Sequence, residues 1–284
     1  MLAFRWLPNS LIYKKFRLRR KIKCHSRKPF NKTKVRAEIV SLDGKSSQER
    51  NGKDYALLIA TDEYANWRKL DKPINDAETI AKELKEFYGF EIDVEKDFLR
   101  NPKRRDVLDA LTRIKARKYQ PDDQLFIFIA GHGHFAEEPV KAGYLVFADT
   151  LSSAEDPYFD SFLEHAKLRQ VLDQLGCKHI FVIIDACFGG TFDEEVAMRG
   201  GGDKPKYADA TNMEFLWRKM QFKIRRYLTS GGKEYVPDGR KGYHSPFASK
   251  FINRNFSDNK IKSTTFFAIF SVYKTAIETV VPGR

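Results

Sequence analysis

Cysteines and long apolar runs are both scarce in this chain of 284 residues. Its three cysteines (Cys24, Cys177 and Cys187) do not suit a disulfide framework, which favours a reducing, cytoplasmic setting. No apolar run reaches the ~18 residues that a membrane span requires. The amino-terminal region also lacks the continuous apolar segment of a secretory signal. The sequence therefore predicts a globular intracellular protein rather than a secreted or membrane-spanning one.

Acidic residues are almost absent from the amino-terminal region. Residues 1–50 carry 15 Lys and Arg against three acids, whereas the remaining 36 basic and 35 acidic residues nearly cancel. Residues 41–53 have the polar composition of a linker. We therefore predict a basic, disordered extension over residues 1–53. Such a tail can contact nucleic acid or an anionic membrane surface, and it is loosely similar to an organellar transit peptide.

Strand and helix patterns alternate from residue 54 onward. Short apolar runs predict buried strands at Tyr55–Ala60, Phe90–Val94, Leu125–Ala130 and His179–Asp185. Helical spacing of apolar residues predicts helices at Asn75–Tyr88, Pro102–Tyr119 and Phe162–Leu175. Asn75 is the expected N-cap of the first helix, with Glu78 completing a capping box. This order predicts one α/β domain over residues 54–284, a three-layer α/β/α sandwich with a mainly parallel sheet.

The remaining segments give weaker patterns. Tyr144–Ala148 is typical of part of a small hairpin, and residues 191–210 have the composition of a long exposed loop. Beyond that loop we expect a helix at Glu214–Tyr227, a short strand at Leu228–Ser230, and helices at Ser245–Arg254 and Phe266–Val280.

His132 and Cys187 each follow the end of a predicted buried strand. Functional groups in parallel sheets gather beyond the carboxyl ends of the strands, and neighbouring strands lie about 5 Å apart. If these two strands are neighbours, the thiol and the imidazole open into one crevice. That pair predicts acyl transfer, with Cys187 as nucleophile and His132 as base. The backbone N–H groups of Gly133 and Cys187 are the candidate oxyanion donors.

Each motif alone has an ordinary explanation. A cysteine after a buried strand is commonly a small hydrophobe, and a Gly-His-Gly sequence also occurs in turns. The occurrence of both at matching strand ends is what favours a catalytic interpretation.

Two motifs in this chain resemble those of a known peptidase group. Gly131-His132-Gly133 and Asp185-Ala186-Cys187-Phe188-Gly189-Gly190 resemble the histidine and cysteine motifs of caspase-like peptidases, most closely metacaspases and bacterial caspase-family proteins. Asn75-Asp76-Ala77, Thr229-Ser230-Gly231-Gly232 and His244-Ser245-Pro246-Phe247 are similar as well. The resemblance covers roughly residues 54–280. It implies a caspase-like fold and a cysteine endopeptidase with a protein or peptide substrate.

Position 185 departs from the caspase signature, because an Asp replaces the Gln before Ala-Cys. In metacaspase-like relatives this acid and the acid of the Asn-Asp motif line the S1 pocket, which implies Asp185 and Asp76 here. Two carboxylates in a recess favour an Arg or Lys side chain and repel an Asp. The resemblance therefore implies cleavage after Arg or Lys. The ordinary alternative for Asp76 is an acid that faces the helix dipole.

No metal or cofactor is expected at this site. His134 forms a His-x-His pair with His132, but the further ligands of a zinc site are not apparent at the usual spacing. No calcium loop of the EF-hand type is visible. The resemblance to metacaspases leaves calcium dependence open.

Several regulatory questions also stay open at the level of sequence. Arg199, in the predicted loop 191–210, is a candidate for self-cleavage, and an uncleaved surface loop is the equal alternative. The family resemblance leaves room for a separate activator or regulator, and the oligomeric state is undetermined. Two other functions compete with peptidase activity: a catalytically silent caspase-like module, and an adaptor that binds nucleic acid or membrane through residues 1–37. The presence of both Cys187 and His132 argues against the silent module.

Overall fold

A computed structural model describes residues 52–138, 141–187, 222–231 and 243–256. Its main strands are β1 (Asp54–Ala60), β2 (Phe98–Arg100), β3 (Gln124–Ala130), β7 (His179–Asp185) and β8 (Ile224–Thr229). They form one parallel sheet in the order β2-β1-β3-β7-β8. Three short strands, β4 (Gly133–Ala136), β5 (Ala142–Leu145) and β6 (Leu163–Glu164), form a separate antiparallel sheet.

Helices cover both faces of the parallel sheet. They are α1 (Pro73–Tyr88), α2 (Arg104–Ala116), α3 (His165–Asp173) and α4 (Pro246–Phe256). Successive strand residues point to opposite faces, so Leu58 packs with residues of α1 and α4, whereas Leu57 packs with residues of α2 and α3. The two buried clusters confirm the predicted α/β architecture of helices on both sides of a mainly parallel sheet.

The path of the chain creates a topological switch point in this sheet. From β1 the chain runs outward to β2 and then crosses to β3 on the other side of β1. Ligand sites in such sheets lie beyond the carboxyl ends of the strands at this kind of switch point. His132 and Cys187 follow β3 and β7 at that edge. Within the described ranges, no helix is long and apolar enough to cross a membrane.

The strand predicted at Phe90–Val94 is wrong. In that segment Glu91 forms only an isolated bridge with Tyr55, and the edge strand is β2, which pairs with β1 through Leu58 and Phe98. The Asp93 side chain accepts the N–H of Glu95, and the N–H of Asp97 donates to the Asp93 carbonyl at 2.6 Å. This turn ends the extended segment before it can form a ladder.

The expected cap of α1 is also wrong. The helix begins at Pro73 with Lys72 as N-cap and without a side-chain cap. Proline suits the first helical turn because its missing N–H would have no intrahelical partner there. Glu78 pairs with Arg100 instead of completing a capping box. The predicted end of the helix is confirmed, since Gly89 is left-handed at the C-cap.

Three further boundaries differ from the prediction. The helix expected over Glu214–Tyr227 is wrong at its end, because β8 begins at Ile224 and pairs with β7. The helix expected from Phe162 begins at His165, after β6, and the hairpin strand expected at Tyr144–Ala148 is β5. The helix expected at Phe266–Val280 and the loop expected around Arg199 lie outside the described residues, as do residues 1–51.

Candidate active site

The strands that carry the histidine and cysteine motifs are neighbours. β3 and β7 pair in register from Gln124 opposite His179 to Ala130 opposite Asp185. The pairing continues one residue further, because the N–H of Gly131 donates to the carbonyl of Asp185 at 3.2 Å. His132 and Cys187 therefore leave the sheet on neighbouring strands, which meets the condition on which the predicted pairing of these two residues depended.

Gly133 packs directly against the backbone of Cys187. A Cβ atom placed on Gly133 would lie 1.9 Å from the Cys187 carbonyl oxygen, so only glycine fits at this distance. This contact follows His132, and the Gly131 hydrogen bond precedes it. The residues before and after His132 are thus both held against the backbone of residues 185–187.

The imidazole of His132 is oriented by the segment after β1. Its Nε2 lies 2.7 Å from the Arg68 carbonyl oxygen. A carbonyl can only accept a hydrogen bond, so this contact places a proton on Nε2. Nδ1 is then the ring atom that can gain and lose a proton. The ring of Tyr64 lies 4.8 Å from the imidazole and that of Trp67 lies 5.9 Å away, both centroid to centroid.

Tyr64 holds the backbone of His132. Its hydroxyl accepts the His132 N–H at 2.9 Å and donates to the Thr61 carbonyl at 2.7 Å. A side chain on Gly131 would approach this hydroxyl to 2.7 Å, so glycine leaves the room it needs. The side chain of Asn101 anchors the same segment by accepting the N–H groups of residues 62 and 63.

Sequence reasoning missed both Tyr64 and Arg68. The usable signal was their position directly after β1, because that strand ends at the same sheet edge as β3 and β7.

The two described cysteines differ in their surroundings. Both are free of disulfide bonds. Cys177 is fully buried before β7, and burial raises the pKa of its thiol to about 11. Cys187 is 8% exposed and lies at the carboxyl-end edge beside the His132 segment. The position of Cys187 suits chemistry on a bound molecule, and that of Cys177 suits packing.

Ser245 joins the two predicted pocket acids in one hydrogen-bond network. Its hydroxyl donates to Asp185 Oδ2 at 2.7 Å, and its N–H donates to Asp76 Oδ2 at 3.0 Å. The same hydroxyl accepts the N–H of Ala248 in the first turn of α4. Asp185 ends β7 and Asp76 lies in the first turn of α1. Ser245 thus links Asp76 by hydrogen bonds to Asp185, which stands two residues before Cys187.

Asp76 also contacts His244. The carboxylate is 1% exposed, and its Oδ1 lies 2.6 Å from His244 Nδ1. Burial raises the pKa of Asp76, while the hydrogen bonds from His244 and Ser245 partly oppose that rise. The sequence motif included His244 and Ser245 without assigning them a role. Their contacts with Asp76 span 168 and 169 residues, so no local pattern could indicate them.

His134 lies on β4 among aromatic rings. Its ring centroid is 5.5 Å from that of Phe159, in a stacked arrangement, and 5.7 Å from that of Trp67. Burial lowers its pKa. The part of the chain that the structure describes contains no group of three or more His, Cys, Asp or Glu residues that could hold a metal ion.

Comparison with known proteins gives one family. A family model described as Peptidase C14, caspase domain, matches residues 53–273. The match includes every strand of the parallel sheet, the His132 and Cys187 segments, and the Asp76–Ser245–Asp185 network. A search among curated proteins finds no match.

Proposed function

The chain belongs to the caspase-domain family of peptidases, and on that premise we propose that it is a cysteine endopeptidase that uses Cys187 and His132. The observation that carries this proposal is the backbone contact of Gly133 with Cys187, beside the Gly131–Asp185 hydrogen bond. Together they fix the two motifs side by side at the functional edge of the sheet. The family membership supports the reaction class, and this geometry supports the choice of Cys187 and His132.

In the proposed reaction His132 Nδ1 takes the proton of the Cys187 thiol, and the thiolate sulfur then attacks the carbonyl carbon of a peptide bond. The tetrahedral intermediate collapses when the C–N bond breaks, and His132 Nδ1 delivers its proton to the leaving amine. Water then attacks the acyl-enzyme, Nδ1 takes one proton from it, and the C–S bond breaks to release the acid. The Arg68 carbonyl keeps the ring oriented through Nε2 during both steps.

The backbone N–H groups of Gly133 and Cys187 are proposed as the oxyanion donors. The N–H of Val146 donates to the His132 carbonyl, which makes the Gly133–Leu145 pair of β4 and β5 a non-hydrogen-bonded one. The N–H of Gly133 therefore points away from β5. Removal of one such donor typically costs about 3 to 4 kcal/mol of transition-state stabilisation.

The S1 pocket is proposed to bind Arg or Lys through Asp185 and Asp76. Asp185 stands two residues before the nucleophile, and Ser245 links it to the buried Asp76. Two carboxylates within one network give the pocket negative charge, which favours a cationic side chain through charge-assisted hydrogen bonds.

The test is hydrolysis of fluorogenic peptides that end in Arg, Lys or Asp, with calcium and with a chelator. We expect Arg and Lys peptides to be cleaved, and Cys187→Ala to lose this activity. Cys177→Ala is the matched control, because it removes a buried thiol away from the site. Cleavage after Asp would retain the peptidase and overturn the pocket assignment. Absence of cleavage under every condition would favour a silent caspase-like module.

Two further proposals use the same preparations. Self-cleavage at Arg199 predicts a shortened product by mass spectrometry, which is absent in Cys187→Ala. An intact chain in active enzyme would contradict self-cleavage.

Binding of residues 1–37 to nucleic acid or anionic vesicles predicts a salt-sensitive association that is lost when those residues are deleted. Unchanged binding after that deletion would contradict it.

A further inference from the structure

His244 is placed against a carboxylate that the proposed S1 pocket uses. Its Nδ1 lies 2.6 Å from Asp76 Oδ1, and its side chain is 29% exposed whereas that of Asp76 is 1% exposed. The imidazole of His244 is therefore partly accessible to solvent, whereas the carboxylate that it contacts is not. Through Ser245 the same network reaches Asp185, at the end of the strand that carries the nucleophile.

We infer that His244 is a specificity-determining residue that sets the charge of the S1 pocket by sharing a proton with Asp76. This inference deepens the proposed function and rests on it. Neutral His244 beside ionised Asp76 leaves the pair with a charge of −1. One added proton makes the pair neutral and halves the negative charge that Asp76 and Asp185 offer to a basic side chain.

The direction of the effect follows from this charge count. At higher pH the His244–Asp76 pair is negative and attracts the guanidinium of a substrate arginine. At lower pH the pair carries one more proton, is neutral and attracts that guanidinium less. The preference for a basic over a neutral side chain therefore weakens as pH falls. Burial raises the pKa of Asp76, which also favours uptake of a proton by the pair as pH falls.

The groups around the pair are contributed by three parts of the chain. From α1, Asn75 Nδ2 lies 3.1 Å from His244 Nδ1. From β7, Asp185 acts through the hydroxyl of Ser245, which belongs to the same segment as His244. At the start of α1, the backbone carbonyl of Lys72 accepts the N–H of Asp76 at 2.9 Å.

The experiment compares a peptide that ends in arginine with one that ends in citrulline, its neutral isostere. The ratio of their kcat/KM values, from pH 8 to pH 5.5, cancels the titration of Cys187 and His132. We expect the ratio to fall about tenfold in the wild type, as one nearby charge is neutralised. His244→Gln keeps a hydrogen-bond donor and removes the imidazole, so only the buried carboxyl of Asp76 can still take up a proton and the ratio falls less than in the wild type.

A second variant moves the ratio in the opposite direction. His244→Lys places a permanent cation beside Asp76, so its ratio is low at every pH. Tyr243→Phe, at a neighbouring residue that is 72% exposed, is the matched control and keeps the wild-type profile. A wild-type ratio that does not change with pH would overturn the inference. An equal fall in His244→Gln would overturn it as well, because other groups would then be titrating.

Binding separates this inference from the proposed function. Benzamidine, a small amidinium compound, is titrated by calorimetry into Cys187→Ala with and without His244→Gln. The inference predicts affinity that weakens toward pH 5.5 in the single variant and weakens less in the double variant. This holds even if the wild type cleaves no peptide. Equal pH dependence in both proteins, or no binding at any pH, would overturn the inference.

Discussion

At the scale of single residues, the two glycines that flank His132 are needed for different reasons. Gly131 leaves room for the hydroxyl of Tyr64, which is the end of a side chain that can move. Gly133 leaves room for the Cys187 carbonyl, which is backbone held beside the β3–β7 pairing. A side chain at Gly133 therefore has to displace one motif from the other.

We expect Gly133→Ala to lower kcat/KM on an arginine peptide by about 100-fold, because a 1 Å displacement of catalytic groups costs roughly that much. The distance of 1.9 Å from the new Cβ to the Cys187 oxygen requires such a displacement. Gly176→Ala is the control, since its Cβ would meet only Tyr119 at 3.9 Å. Wild-type kinetics in Gly133→Ala would contradict the packing argument, and thermal unfolding shows whether each variant is folded.

The site residues that could be predicted from sequence were those with a recognisable motif around them. His132 and Cys187 lie in such motifs, and the structure places their segments together. Tyr64 and His244 could not be identified in this way. Their roles depend on contacts with residues 68 and 168 positions away, which arise only when separate elements meet at one sheet edge.

At the scale of elements, β8 is attached to the rest of the domain by one half-buried arginine as well as by its ladder with β7. The Arg225 guanidinium donates to four backbone carbonyls, those of Leu172, Leu175, Lys178 and Ile224. Burial lowers the pKa of Arg225. The guanidinium thus satisfies carbonyls at the end of α3 and in the connection that leads into β7.

Arg225→Lys should lower the free energy of unfolding by about 2 kcal/mol. A lysine has one nitrogen and cannot reproduce the planar fork, so carbonyls in a half-buried region lose their donors. Urea denaturation measures the change. Arg105→Lys, whose side chain is 89% exposed and pairs only loosely with Asp109, is the control and should leave stability unchanged. Equal urea midpoints for the two variants would show that the Arg225 contacts add little to the free energy of unfolding.

Central elements of this fold were easier to predict than edge elements. β1, β3 and β7 lie within the sheet and are buried along most of their length, so their sequences are continuous apolar runs. Among the described strands, β2 and β8 lie at the edges of the sheet, and every residue of β8 is half-buried. An edge strand has a mixed sequence, and only pairing with its distant neighbour decides its position.

At the scale of the whole molecule, stability should fall as the solution is acidified below neutrality. His165 is buried at the start of α3, and burial lowers its pKa to about 4 from the usual 6.5. The unfolded chain therefore binds a proton that the folded chain does not, and stability rises with pH across this window. Between pH 6.5 and pH 4 the folded state loses about 3 kcal/mol from this group. Urea unfolding at several pH values measures the slope.

His165→Met isolates this contribution, since it removes the titrating group and keeps an apolar side chain at a buried position. Its slope between pH 6.5 and pH 4.5 should be shallower than that of the wild type, whatever its absolute stability. Asp76 has a raised pKa and contributes a slope of the opposite sign near its own titration. An unchanged slope in His165→Met would rule out His165 as the source.

The register of β3 with β7 restricts how the lengths of these segments can vary among related chains. Every residue from Gln124 to Ala130 has a fixed partner from His179 to Asp185, and the Gly131 hydrogen bond extends this match to the motifs. An insertion or deletion in one strand would turn its side chains to the opposite face and move one motif past the other. In the connection between the strands, the loops outside β4, β5, β6 and α3 have no such register to keep. Natural length variation should therefore concentrate in the connection, and the two strands should change length only together.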